Sequence, residues 1–475
     1  MDVSRQEDWL VSISSRENIL TNFEKFMIFF IVIQPVIDLL TSLSIYLLGT
    51  SLTVGIIIRF GVLSLTLIYI HFAFEPKVRK RVWIFFLLFA LVLLVGLINN
   101  MIVKDPMTLF SEIKNIAKIV YAPIMLFGYL AIFTRAKQYT DVRMQVQRNI
   151  YYAMLIVSLV MVIAAITGTG IKSYESEKLG QQGWFFAGNE IGAIMAISLP
   201  VVLYYTLKMT NSKRKLYYWV PVILLIISML LVGTKVGYLA VLITLIVSQL
   251  ALLIEKFRNR EKSRQIHLNS IINLIVLAIF LAITPFTPVA YNTKVHLSWW
   301  GIENNFGLFS KSGEEGDTEE HQKREKAVEN VVLSGREEHL DLFRSYYEDA
   351  PLSQKLFGMG YGGNYKAIED EVKSVEMDYY DIFFSFGIIG FLVYLLAFIY
   401  FSVRILISFF KNIKDYFNCE VLLIGSSVAL GLGIAYLAGH VLTAPAVSIY
   451  LVILFAYLYI ALVQDNKPTN ELSGK

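Results

Sequence analysis

Arg59, Lys118, Asn189 with its neighbour Glu190, Lys235, Glu376, Asp378 and His440 stand in, or at the ends of, long apolar runs, and Arg336 stands in a long polar stretch between two such runs. Ionisable side chains in apolar surroundings are expensive and tend to be kept for function. Several cations together with a carboxylate suit an anionic, phosphate-bearing substrate and a base that removes a proton. Each residue also has a plainer reading. Arg59 and Lys118 are long enough to snorkel toward an interface. His440 alone reads as a satisfied buried histidine, and Arg336 alone as a solvated loop residue. Asp38, mid-run after Pro35, reads as a structural partner or relay whose mate the sequence does not name. No set of residues has metal-ligand spacing, and no cofactor is implied.

Composition sets the frame that must position these groups. The chain has 475 residues, 56% hydrophobic and only 17% charged, with a mean hydropathy of +0.58; a soluble protein would carry roughly 25% charged residues. Apolar runs of about twenty residues alternate with short charged stretches, the pattern of repeated membrane crossing. In hydrocarbon every backbone polar group needs an internal partner, so these runs are expected to be helices. The expected fold is all-α and polytopic, with spans at about 26–48, 52–73, 82–99, 109–133, 149–168, 185–207, 217–234, 236–255, 268–290, 379–403, 419–438 and 443–463. The seventh and eighth are almost continuous, interrupted at Gly233-Thr234-Lys235. The single cysteine, Cys419, excludes an intramolecular disulfide and reads as a small apolar residue at a helix start. The polar first 25 residues carry no cleavable signal peptide pattern, and basic residues confined to short loops give no sign of nucleic-acid binding.

Lysine and arginine placement predicts orientation. The connections EPKVRKRVW, RAKQYTDVRMQVQR, KMTNSKRK and EKFRNREKSRQ hold 4, 4, 4 and 5 basic residues, whereas those at 48–51, 100–108, 169–184 and 233–235 hold 0, 1, 2 and 1. Both termini and the basic loops are therefore expected in the cytoplasm. The resulting order is a cytoplasmic N-terminus at 1–25, nine spans over 26–290, a large extracytoplasmic loop at 291–378, three spans over 379–463 and a cytoplasmic tail at 464–475. Within that loop, residues 291–375 contain 16 acidic and 10 basic residues. Its middle, 312–330, reads as a solvated strip. GREEHLDLFRSYYEDAP sets Leu340, Phe343 and Tyr347 at helical spacing, and their stripe is expected to pack on the membrane domain. The cluster from Gly358 to Gly363 reads as a tight turn.

The strings GWFFAGNEIGAIMAISL (183–199), LVGTKVGYLAVL (231–242), SGREEHLDLF (334–343) followed by LFGMGYGG, VEMDYYDIFFSFGIIGFLVY (375–394) and AGHVLTAPAVSIYL (438–451), in this order, resemble the bacterial O-antigen ligase and O-antigen polymerase superfamily. The last string looks like the Gram-positive-type members. Upstream of 183 the resemblance rests on span count and the QPVIDLLTS wording. It implies a GT-C-like membrane glycosyltransferase of the bacterial plasma membrane. Its partners would be a polyprenyl-diphosphate-linked oligosaccharide, an acceptor glycan and membrane lipid. Two positions depart from the pattern: the helix-junction arginine is Lys235, and the external histidine taken as the base in ligase-type members falls on Glu376. A carboxylate serves as base in the more distantly related peptidoglycan polymerases.

On this resemblance Glu376 is the expected base, with Asp378 as its substitute. Arg336 and Lys235 are expected on the diphosphate, and Arg59, Lys118, Asn189, Asp378 and His440 around the substrate. The reaction is expected to be metal-independent, inverting polymerisation of repeat units, favoured over ligation because the loop lacks the ligase-type histidine. A flippase for lipid-linked sugars is the rival from another class; such transporters usually show internal repeats and midplane charges, and neither is visible here.

Overall fold

The computed structural model describes residues 3–49, 53–105, 107–174, 177–258, 263–299, 334–361 and 374–465, without the side chains of 3–15, 263 and 298–299. The strip at 312–330, the final glycines of the turn cluster at Gly362 and Gly363, and nearly all of the tail lie outside these residues. The helices, in chain order, are α1 (Val3–Leu48), α2 (Val54–Ala73), α3 (Pro76–Val103), α4 (Leu109–Ala136), α5 (Val142–Ile166), α6 (Gly188–Met209), α7 (Val220–Val232), α8 (Lys235–Arg258), α9 (Ser263–Ile283), α10 (Pro288–Trp299), α11 (Arg336–Asp349), α12 (Leu352–Phe357), α13 (Asp378–Lys411), α14 (Cys419–Leu437) and α15 (Pro445–Tyr459). Twelve helical segments among the described residues are long and apolar enough to cross a membrane: those of α1 to α9 and α13 to α15. The protein is thus an all-α polytopic membrane protein.

Local chemistry sets the boundaries. Thr53, Asp141 and Asn418 cap α2, α5 and α14 by accepting from the N–H groups of Ile56, Met144 and Val421, which satisfies donors that a helix start leaves open. Pro76 and Pro445 begin α3 and α15, where a missing N–H costs nothing. The junction of the seventh and eighth spans is a left-handed Gly233, after which Thr234 Oγ1 accepts from Gly237 N at 3.1 Å and starts α8. The centre of the bundle is formed by α4, α6 and α15, which are buried along most of their length. Their middle turns are apolar all round because every face there packs on another helix, and the charges of α4 stand toward its two ends. α3 and α9 keep most of their apolar surface outward.

The segment before α13 packs onto this bundle. α11 buries Leu340 and Phe343 against Met359, Val375, Met377 and Phe384, and Tyr347 lies 5.2 Å from the Phe383 ring. α12 then crosses α3 so closely that a Cβ on Gly96 would stand 2.6 Å from the Phe357 carbonyl oxygen. Gln354 Nε2 donates to Asn100 Oδ1 at 2.9 Å.

Beneath the following turn lies a buried ion pair, Lys104 Nζ to Glu112 Oε1 at 2.8 Å. Lys104 also donates to the carbonyls of Met359 and Tyr361, and Glu112 Oε2 accepts from Tyr361 N at 2.8 Å. Gly360, at φ +74°, is required here because a Cβ would reach 2.5 Å from the Glu112 oxygens. The other side of the turn is held by α13, which is interrupted at Gly387 (φ 66°, ψ −175°). Just before this break, the Phe384 and Ser385 carbonyls accept from Met359 N and Gly360 N.

Removing one partner of this enclosed pair strands a charge. Lys104→Met alone is expected to cost about 3–5 kcal/mol, while Lys104→Met with Glu112→Leu is expected to recover much of that loss. Thermal unfolding in detergent checks this, and a double variant no more stable than the single one contradicts it.

Candidate active site

The charged residues singled out in the sequence lie at one end of the bundle, where α2, α4, α6, α8, α13 and α15 begin. There Arg59, in the second turn of α2, is buried and points at α1. Its Nη2 lies 2.6 Å from Asp38 Oδ1, and its Nη2 and Nε donate to Gln34 Oε1 at 3.0 and 3.3 Å. Arg59 does not snorkel, and Asp38 has its mate.

Next to this pair a cavity of about 530 Å³ opens between α1, α2, α4, α6 and the start of α15. Its charged lining is Asp38, Arg59, Lys114, Lys118 and Glu190; its walls include Phe60, Phe185, Phe186 and Ile194. Size and a mainly apolar wall with few polar groups are those of a small-molecule site. Asn189 was expected on this wall. It is instead exposed in the first turn of α6 and does not line the cavity, because one residue of helical rotation turns Glu190 inward in its place.

A second constellation forms where the chain enters α13. Asp378 is fully buried and accepts four hydrogen bonds: from the N–H groups of His440, Val441 and Leu442 at 2.9, 2.7 and 2.7 Å, and from Thr443 Oγ1 at 2.6 Å. Its oxygens are fully engaged, so it positions the α14–α15 turn and is not available as a base or a substrate ligand. One turn on, Asp381 accepts from Val375 N and Met377 N at 2.9 and 3.2 Å. These two carboxylates fix the chain on either side of Glu376 and across from it at His440.

Among the described residues, only Ser334, Glu376 and His440 are non-glycine with positive φ, each at 60°. Such conformations cost roughly 1–3 kcal/mol each and gather at functional sites. Glu376 is one member of an ion pair: Arg336 Nε donates to its carbonyl oxygen at 3.1 Å, and Arg336 Nη2 to its Oε2 at 3.3 Å. His440 Nε2 stands 3.9 Å from the same Oε2. Gly439 (φ +64°) makes the approach possible, since a Cβ there would lie 2.5 Å from the Glu376 carbonyl oxygen.

Glu190 ties the two groups together, lying within electrostatic reach of His440, Asp38, Arg59 and Lys118. Lys235, at the first position of α8, belongs to a third group. Its Nζ is 3.2 Å from His296 Nδ1, and it feels the charge of Lys178. Lys178 in turn stands 5.8 Å from the centre of the Tyr174 ring, and Tyr174 feels Arg336. Lys235 thus shares this end of the bundle with Arg336 and Glu376; it bonds to His296, and they bond to each other. Lys114, Asp381 and Gly439 escaped the sequence reading. The signals for them were the i, i+4 spacing of Lys114 to Lys118, the i, i+3 spacing of Asp378 to Asp381, and a glycine before a polar turn residue.

Burial opposes the charging of His440, but the carboxylates of Glu376, Glu190 and Asp378 prevail and raise its pKa above 6.5. A raised pKa gives stabilisation that is complete below the unfolded value and vanishes as pH climbs through the folded one. The stability difference between the protein and His440→Gln is therefore expected to be largest below pH 6.5 and to shrink at higher pH, measured by thermal unfolding in detergent. A difference independent of pH contradicts the assignment. Gly439→Ala is expected to destabilise by about 1–3 kcal/mol through the strained φ and the Glu376 contact.

No curated protein matches the chain. The family described as O-antigen ligase like membrane protein matches residues 21–465. Membership brings with it a glycosyltransferase-type enzyme acting, in general terms, on a lipid-linked glycan and a glycan acceptor. The chain therefore belongs to the O-antigen ligase-like family of multi-pass membrane proteins, with a glycan ligase- or polymerase-type function.

Proposed function

We propose that the protein lengthens a polysaccharide at the outer face of a bacterial plasma membrane, transferring glycan from a polyprenyl-diphosphate carrier onto another repeat unit. The reading rests on one observation above the others. Glu376, at a strained backbone position, is held by Arg336 with His440 3.9 Å away, and His440 is within electrostatic reach of Glu190, which lines a cavity with cationic and apolar walls. The lysine and arginine bias of the opposite loops favours an outer location for this end and a cytoplasmic one for both termini.

In this scheme the acceptor hydroxyl oxygen attacks the anomeric carbon of the lipid-linked glycan from the face opposite the diphosphate. The carbon–oxygen bond to the diphosphate breaks, its electron pair leaves with the carrier, and the configuration inverts. Glu376 takes the hydroxyl proton; Arg336, forked against it, sets its orientation. Cations at this end of the bundle meet the charge that grows on the leaving oxygen. These side chains supply electrostatic stabilisation directly, so the proposed step is metal-independent.

Purified protein supplied with its lipid-linked repeat unit is expected to give a ladder of longer glycans. Glu376→Gln is expected to lower the rate by roughly 10²–10⁴-fold, and Arg336→Ala by roughly 10²–10³-fold, with both variants still folded. Full activity in both would falsify the assignment. A single transfer to an unrelated acceptor identifies a ligase, and carrier crossing the bilayer without a new glycosidic bond identifies a flippase.

A further inference from the structure

The charges lining the cavity divide into two classes. Arg59 and Asp38 are already joined to each other, and Gln34 Oε1 accepts from the Nε and Nη2 of Arg59. Lys114, Lys118 and Glu190 make no hydrogen bond or ion pair among the described residues, although Lys118 feels both Lys114 and Glu190. Lys114 and Lys118 are one helical turn apart on α4, so their side chains lie on the same face. Like charges at that spacing destabilise a helix, and here no neighbouring carboxylate is bonded to either. The same helix shows the alternative two residues earlier, where Glu112 is paired with Lys104. A cation pair left open to a cavity, while neighbouring charges are matched, is suited to an anion that bridges both ammonium groups.

We propose that the diphosphate of the lipid carrier binds in this cavity between Lys114 and Lys118, with Glu190 facing the bound anion. Lys114 thereby becomes a substrate-binding residue, and Lys235, engaged with His296, does not contact the diphosphate. The inference rests on the glycosyl-transfer reading for the identity of the carrier, but not for the binding itself. The apolar walls at Phe60, Phe185 and Phe186 receive the first isoprene units. Glu190 supplies a sign-specific test. A carboxylate facing the anion weakens its binding, whereas one that merely supports the lysines strengthens it.

The test measures farnesyl diphosphate binding to the full-length protein in detergent, without turnover. Lys114→Ala and Lys118→Ala are each expected to weaken binding roughly tenfold, the worth of one charge-assisted hydrogen bond. Lys235→Ala is expected to change it by less than about twofold, and Glu190→Gln to tighten it about threefold by removing a nearby like charge. Unchanged thermal unfolding of the lysine variants confirms that they fold. The proposal is overturned if the α4 variants bind normally, if Lys235→Ala weakens binding as much as they do, or if Glu190→Gln weakens it. Equal affinity for farnesyl monophosphate or phosphatidylglycerol micelles would assign the cavity to a phospholipid headgroup and overturn it too. Diphosphate binding as expected in a protein that never lengthens glycan rejects the transfer reaction and leaves the pocket intact; glycan lengthening indifferent to both lysines rejects the pocket alone.

Discussion

The carboxylate of Asp378 is the point on which the site end of the bundle depends. Enclosing an ionised carboxylate costs several kcal/mol. Four hydrogen bonds, three from consecutive backbone N–H groups and one from Thr443, offset that cost, each charge-assisted bond contributing about 1.5–3 kcal/mol. The result is a rigid link between the start of α13 and the turn that joins α14 to α15. Glu376 lies two residues before that link and His440 at its far side. Their strained backbones persist because Asp378 and Asp381 over-determine the chain around them.

Charge is managed in the rest of the bundle by the same rule, that a buried charge needs a partner. Lys104 and Glu112 lock the glycine turn after α12 onto α3 and α4. Arg59 and Asp38 join α2 to α1. At the other end, the enclosed Glu24 accepts from Tyr69, Tyr139 and Arg135. These pairs make the scaffold stiff. They also make the cavity conspicuous, because its α4 lysines and Glu190 have no such bonds among the described residues. A site that binds an anion keeps its charges available, at a cost in stability that the surrounding matched pairs offset.

Backbone interruptions do the fine positioning. Gly387 breaks α13 where the turn at Met359–Gly360 needs acceptors. Gly439 lets the α14–α15 turn approach the Glu376 carbonyl. Gly233 ends α7 so that Lys235 can open α8 beside His296. In each case a helix long enough to cross a membrane is bent or stopped where a side chain must face inward.

Much of this was legible without coordinates, because helix formation in an apolar run is local. Hydropathy alone gave the twelve spans, Gly233-Thr234-Lys235 announced the seventh junction, and the spacing of Leu340, Phe343 and Tyr347 described the buried stripe of α11. Of the polar residues expected together, Arg336, Glu376 and His440 meet and Arg59 and Lys118 line the cavity, while Lys235 stands beside His296 and Asn189 is exposed. Partner choice was not legible, because it depends on which helices lie side by side. Asp38 finds Arg59 across a helix pair. Asp378 and Glu376, two residues apart and interchangeable in sequence, part company: the first is enclosed by the α14–α15 turn and the second stands against Arg336. Asn189 and Glu190 differ by one helical step, yet only Glu190 lines the cavity. Residue type and spacing thus decide what charges a membrane chain carries and at which end; only packing between distant helices decides which are neutralised and which remain open to a ligand, because that depends on contacts within a few ångströms that no local pattern encodes.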